Sequence, residues 1–255
     1  MGFVTILLPG LILGFVVVAL AWGALRLFPG LLHPTEDAPV GTMVSGIILV
    51  FAFVLGLTVS QETQTLDTAR TAVATEANSI EELYWYAHTL PEPEHSKLQG
   101  LLRTYTTLVV KQEWPLLGQH KSSEQVSTTA RAIQENILDF QPNTPTQNAI
   151  YRKELTQVSD LFAARHARVD AATSGGVPPI LIEGLIVLVA LILLSIPLIG
   201  LMKGPRNLFL YGTFAVFLIA ALFLIADVNN PFAGTVAVDP TSFDVLFTDT
   251  FAHVS

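Results

Sequence analysis

The sequence predicts an all-α fold: four transmembrane helices with a helical extramembrane domain inserted between spans two and three. Three observations lead there. Residues Met1 to Leu25, Ala38 to Gln61, Gly184 to Met202 and Asn207 to Ala226 contain no Asp, Glu, Lys or Arg, and each is long enough to cross a hydrocarbon core about 30 Å thick as a helix. Charged residues make up 13% of the chain, against roughly a quarter in soluble domains, and they concentrate between Glu62 and Asp170. The apolar runs are continuous and lack the alternation of a membrane barrel, which leaves helices as the way to satisfy the backbone in lipid.

The expected organisation has a transmembrane hairpin over residues 1–61, with spans at about 3–26 and 40–60, and an extramembrane helical domain over 62–176. A second hairpin covers 177–227, with spans at about 179–201 and 207–226, and a tail covers 228–255. The first apolar run precedes the first Arg, Arg26. A signal peptide needs the opposite order, so the run is expected to be a retained span.

The second span has no breaker at its end. Leu66, Ala69, Val73, Ile80, Leu83, Ala87 and Leu90 continue its helix at 3,4 spacing, with Glu76 interrupting the stripe, so one long helix is expected to stop at Leu90-Pro91. After Pro91-Glu-Pro-Glu94, the next helix carries Leu98, Leu101, Leu102, Tyr105, Leu108 and Val109 on one face and should end near Trp114-Pro115. A third should start at Ser122 with Gln125 closing a capping box, and present Ala130, Ile133, Ile137 and Phe140 inward. A fourth opens with Thr144-Pro-Thr-Gln147, an N-cap followed by proline at the first helical position. Its stripe is Tyr151, Leu155, Val158, Phe162 and Val169, and it breaks at Ser174-Gly-Gly176. Pro178-Pro179 opens the third span, Lys203-Gly-Pro-Arg206 turns into the fourth, and the tail is expected to be mostly irregular.

Composition excludes several classes of function. A net charge of −8 with no long basic patch argues against nucleic acid as a partner. Without cysteine there are no disulfides, thiolate metal sites or cysteine nucleophiles. The six histidines, at 33, 88, 95, 120, 166 and 253, lack ligand spacing, so no metal or other cofactor is expected. No P-loop, nucleophile elbow or GxGxxG occurs, and no acid, base or nucleophile set recurs at usable spacing, so the chain does not read as an enzyme. The lipid bilayer is the partner that the sequence itself names, and a multi-pass protein of the cell membrane is expected. Arg26, Lys203 and Arg206 flank the short loops, while Arg70, Arg165 and Arg168 lie near the spans on the other side. That balance leaves the side of the helical domain open.

The stretch Val73-Ala-Thr-Glu-Ala-Asn-Ser-Ile-Glu-Glu-Leu-Tyr84, then Leu90-Pro-Glu-Pro93, Leu102-Arg-Thr-Tyr105 and Glu113-Trp-Pro115, resembles the bacterial bestrophin-like domain family. So does Asp227-Val-Asn-Asn-Pro-Phe-Ala-Gly234, followed by Asp239-Pro240. The resemblance implies a distant relation to the bestrophins, pentameric anion channels with four spans per subunit, and it marks Asp227, Asn230, Pro231 and Phe232 as a structural motif. It places a hydrophobic neck on Leu49, Phe53 and Leu57, which stand at i, i+4, i+8 and share one helix face. The acidic run that binds calcium after Asn-Pro-Phe-Gly in animal bestrophins is missing, since Ala-Gly-Thr-Val-Ala-Val follows Phe232 here. Calcium gating is not expected without converging oxygen ligands.

Two readings of function remain open at this point. One is an oligomeric small-anion channel with an apolar neck; the other is a non-conducting accessory subunit of a larger membrane complex, in which the same stripe packs against neighbouring helices. Glu62, Asp67, Glu76, Glu81 and Glu82 on the long helix would favour cations if they faced an axis. For Glu76 the simpler expectation is a buried partner among Arg103, Arg165 and Arg168. Glu183 is expected at headgroup depth, Asp227 at the end of the fourth span, and Tyr84, Trp85 and Tyr86 in core or subunit packing.

Overall fold

The computed structural model describes residues 38–198 and 205–252, together with Ala19 and Gly23. Every regular element in it is helical. In chain order these are α1 (Ala38–Ala87), α2 (Glu94–Leu108), a π turn (Val109–Glu113), α3 (Trp114–Leu117), α4 (Glu124–Asp139) and α5 (Pro145–Thr173). They are followed by α6 (Pro179–Leu198), α7 (Pro205–Val228), α8 (Thr241–Val245) and a second π turn (Leu246–Thr250). Among the described residues three helices are long and apolar enough to cross a membrane, within Ser45–Ala87, Pro179–Ile196 and Arg206–Val228. The span expected at about 3–26 lies outside the described residues apart from Ala19 and Gly23, as does the turn before Pro205.

The chain divides into two compact units, Met1–Thr63 with Val177–Asn229, and Gln64–Gly176 with Asn230–Ser255. In the first, one face of α1 buries Phe51, flanked by Ile47, Ile48, Val54 and Leu55, in a cluster with Leu185, Val189 and Ile192 of α6 and Ala215 and Leu218 of α7. Two polar contacts fix this packing. The Tyr211 hydroxyl donates to the Leu193 carbonyl at 2.8 Å, and the Val177 N–H donates to Asn229 Oδ1 at 2.6 Å, so neither buried group is left unpaired.

In the second unit α1 runs on as the 50-residue helix that the absence of a breaker predicts, and it ends at Ala87, slightly before Leu90. Leu66, Ala69, Val73, Ile80, Leu83 and Ala87 are all buried, as is Glu76 between them. They pack with Leu98, Leu102, Tyr105 and Val109 from the α2 segment, Ala130, Ile133 and Ile137 of α4, and Val158 and Leu161 of α5.

Four local expectations need correction. The helix does not end at Trp114-Pro115; it passes through the π turn into α3, which carries Pro115 in its first turn and ends at Leu117. The cap of α4 is Ser123, one residue after Ser122: its Oγ accepts from the Val126 N–H at 3.4 Å. Ser123 is held there because its own N–H donates to Glu113 Oε1 at 3.0 Å. On α5 the fully packed seam is Glu154, Val158, Leu161, Arg165, Arg168 and Ala172, while Tyr151, Leu155, Phe162 and Val169 only flank it. The tail is more ordered than expected: α8 and the π turn bring Phe243, Leu246 and Phe251 into the core. Five-residue elements are too short to show a period.

Candidate functional site

In the first unit the packed face of α1 leaves another face bare. Phe51 is 3% exposed, whereas Leu49, Phe53 and Leu57 are 71%, 66% and 52% exposed. An α-helix places these three on one side, one turn apart. A side chain built on Gly46 or Gly56 would meet nothing within 4 Å, so the same helix has open surface around the stripe. Val50 and Val59 are exposed as well. Among the described residues the row is therefore apolar and exposed.

The second unit holds a buried ion-pair network whose members come from α1, α2, the π turn, α4 and α5. The Arg168 guanidinium donates from Nε to Glu76 Oε2 at 2.7 Å and from Nη2 to Glu76 Oε1 at 2.9 Å. Its Nη2 also reaches Glu113 Oε2 at 2.8 Å. Arg165 Nη2 donates to Glu113 Oε1 at 2.6 Å and to Ser127 Oγ at 3.0 Å. The Tyr105 hydroxyl donates to Glu76 Oε1 at 2.6 Å. Two carboxylates face two guanidiniums, so the cluster carries no net charge into the core, which is the condition under which burial of charge is tolerable.

Burial alone would lower the pKa of Arg168, but the charge of Glu76, its hydrogen bond and then Glu113 outweigh it and raise the value. Burial, followed by the charge of Glu76, holds the Tyr105 phenol well above its ordinary range. The Arg168 guanidinium carbon also lies over two aromatic rings, 5.7 Å from the Trp114 ring centre and 5.8 Å from that of Phe243. All four carboxylate oxygens of Glu76 and Glu113 are hydrogen-bonded, while Arg165 Nε and Arg168 Nη1 are buried without a hydrogen-bond partner. The chemistry of the network is structural cross-linking of α1, α5 and the π turn, with no group left at the surface to act on a substrate.

Asn230, Pro231 and Phe232 are buried in the second unit. Asn230 Nδ2 donates to the carbonyls of Leu117 and Gly118 at 3.2 and 3.3 Å, and its Oδ1 accepts from the Phe232 N–H at 2.9 Å. Phe232 meets Trp114 edge to face at 5.3 Å. Asn230 thus closes the end of α3 with one side chain. Asp227 is half-buried on the last turn of α7, in the first unit. Among the described residues no group of three or more His, Asp or Glu is placed to hold a metal ion.

The chain matches the bestrophin-like domain over residues 11–243. It belongs to the bestrophin-like family. This bestrophin-like protein matches no curated protein. Its fold is similar to the crystal structure of a point mutant of a bacterial bestrophin homologue from Klebsiella pneumoniae, with a TM-score of 0.69 and 14% identity over 93% of this chain and 94% of that one. A structure of the Klebsiella pneumoniae homologue solved by Zn-SAD phasing gives a TM-score of 0.62 at 14% identity over 97% of each chain. A further crystal structure, of a membrane protein, gives 0.67 at 15% identity over 98% of this chain and 99% of that one. At such identities the likeness speaks for the fold.

Other site residues fall as follows. Of the three candidate partners of Glu76, Arg168 takes the role; Arg165 binds Glu113 instead. Arg103 donates to the Tyr84 hydroxyl at 2.6 Å and to the Phe251 carbonyl at 3.0 Å. Tyr84 and Tyr86 are buried while Trp85 is 48% exposed, and Glu183 is exposed on α6. The role of Glu113 was not legible from spacing, since nothing around Glu113-Trp-Pro115 marks that carboxylate as buried.

Proposed function

We propose that this bestrophin-like protein crosses the cell membrane four times, carries residues 62–176 as a helical domain inserted between spans two and three, and assembles into a homo-oligomer. In that assembly the apolar face of α1 surrounds an axis and small anions pass along it. The observation that carries this reading is the contrast on one helix between buried Phe51 and exposed Leu49, Phe53 and Leu57. In a symmetric ring such a row becomes a stack of apolar constrictions, which control conduction by excluding water when narrow. The family resemblance supplies the ion class. Calcium has no part in this proposal, because the tail lacks the acidic run.

The absence of cysteine makes a direct test simple. Single variants Leu49→Cys, Phe53→Cys and Leu57→Cys should cross-link between subunits under mild oxidation, whereas Phe51→Cys should not. Cross-linking only at Phe51, or a purified protein that is monomeric, removes the axial placement. A ring that cross-links at the stripe yet carries no current favours the accessory-subunit reading.

A further inference from the structure

The chain leaves α3 through a Schellman turn: the Lys121 N–H donates to the Leu116 carbonyl at 2.9 Å and the His120 N–H to the Leu117 carbonyl at 3.0 Å. That motif puts a left-handed residue at the position of His120, which has a φ of 58°, the one positive value among the described non-glycine residues. Glycine is the usual residue there, because a Cβ makes the left-handed conformation costly. A histidine in its place points to a role for the side chain.

That side chain makes two contacts. Its Nδ1 lies 2.7 Å from the Ala172 carbonyl in the last turn of α5, and its Nε2 lies 3.5 Å from Asn230 Nδ2. Other bonds fix the orientation of the Asn230 amide: Nδ2 donates to the Leu117 and Gly118 carbonyls, while Oδ1 accepts from the Phe232 N–H. An amide nitrogen therefore faces Nε2, which has to be the acceptor, and the carbonyl at Nδ1 requires the donor on that side. One state of the ring satisfies both contacts, the neutral imidazole with its hydrogen on Nδ1.

We propose that His120 is a protonation-sensitive latch: neutral, it holds Asn230 and the end of α5 on the turn after α3, and a proton taken up at Nε2 loosens the Asn230 segment. The added N–H would oppose the Asn230 amide, making an attractive contact a donor–donor one, while the Nδ1 bond to Ala172 survives. His120 is exposed, so the proton can arrive from solvent. The charged groups on the surrounding elements are Lys121 on its own loop, Glu113 in the π turn, Glu124 at the start of α4, and Arg168 and Asp170 on α5. Glu113 and Arg168 are committed to each other, Lys121, Glu124 and Asp170 are exposed, and residues 230–238 carry no charge. The latch joins the segments that lead into α6 and out of α7, and its action is independent of whether the chain conducts.

The test uses the full chain in detergent, isotope-labelled at the histidine ring nitrogens. At about pH 8 the His120 resonances, identified by their absence from His120→Gly, should be those of a neutral ring with its hydrogen on Nδ1. Between about pH 8 and about pH 5, amide protection of Phe232 and Ala233, whose N–H groups donate to Asn230, should fall about two- to tenfold after correction for intrinsic exchange, the loss of one ordinary hydrogen bond. Glycine suits the left-handed backbone, so His120→Gly should fold and should lack that pH response. A hydrogen on Nε2 at about pH 8, protection that stays flat on acidification, or a response of His120→Gly equal to the wild type would overturn the proposal.

Discussion

Arg168 and Glu76 stand 92 residues apart in sequence and meet through two parallel hydrogen bonds, both side chains fully buried. The fork geometry of a guanidinium matches a carboxylate in a way that lysine cannot reproduce. Their contact fixes the register of α5 against α1: one turn of slippage would strand two opposite charges in the core.

Removing either partner should therefore be severe. Glu76→Gln or Arg168→Met is expected to cost about 3–5 kcal/mol, because the remaining charge stays buried with incomplete compensation. The double variant Glu76→Leu with Arg168→Met should be less destabilised than the sum of its parts by more than about 1 kcal/mol. Denaturation of the purified protein checks both, and additive losses would show that the two side chains act separately.

Within the second unit, Arg103 ties the tail to α1 through the Tyr84 hydroxyl and the Phe251 carbonyl, with its guanidinium also over the Tyr84 and Phe251 rings. Arg103→Ala should weaken that docking by about 1–3 kcal/mol. Limited proteolysis should then cut within 241–252 faster than in the wild type while the helices before it stay intact.

Two glycines give opposite predictions. A Cβ at Gly175 would overlap the Ala171 carbonyl at the end of α5, so Gly175→Ala should destabilise by about 1–3 kcal/mol. At Gly100, inside α2, it would meet nothing within 4 Å, and Gly100→Ala should stabilise by about 0.5–1 kcal/mol. Melting curves of the two variants should move in opposite directions.

How much of this was legible in the sequence depended on whether a seam was built from apolar residues. The stripe of α1 was, because Leu66, Ala69, Val73, Ile80, Leu83 and Ala87 outnumber the one acid among them; the gap at Glu76 even pointed to a buried partner. The seam of α5 was offset, because three of its positions are Glu154, Arg165 and Arg168, residue types whose default place is at the surface. The pairing that makes them tolerable joins distant segments and leaves no local signal. Ser123 was preferred over Ser122 as a cap for the same reason: the deciding contact comes from Glu113, ten residues earlier in the chain. On α1, the spacing of Leu49, Phe53 and Leu57 was readable, and their exposure became visible once Phe51 was seen to take the packed face.

The stripe on α1 is the centre of the functional account, and planar-bilayer recording of the purified assembly tests it most directly. Wild-type protein should carry an anion-selective current, and Phe53→Ala, which widens an apolar constriction without touching the packed face, should increase it. Silence from an intact ring, or a current indifferent to Phe53→Ala, would contradict the account.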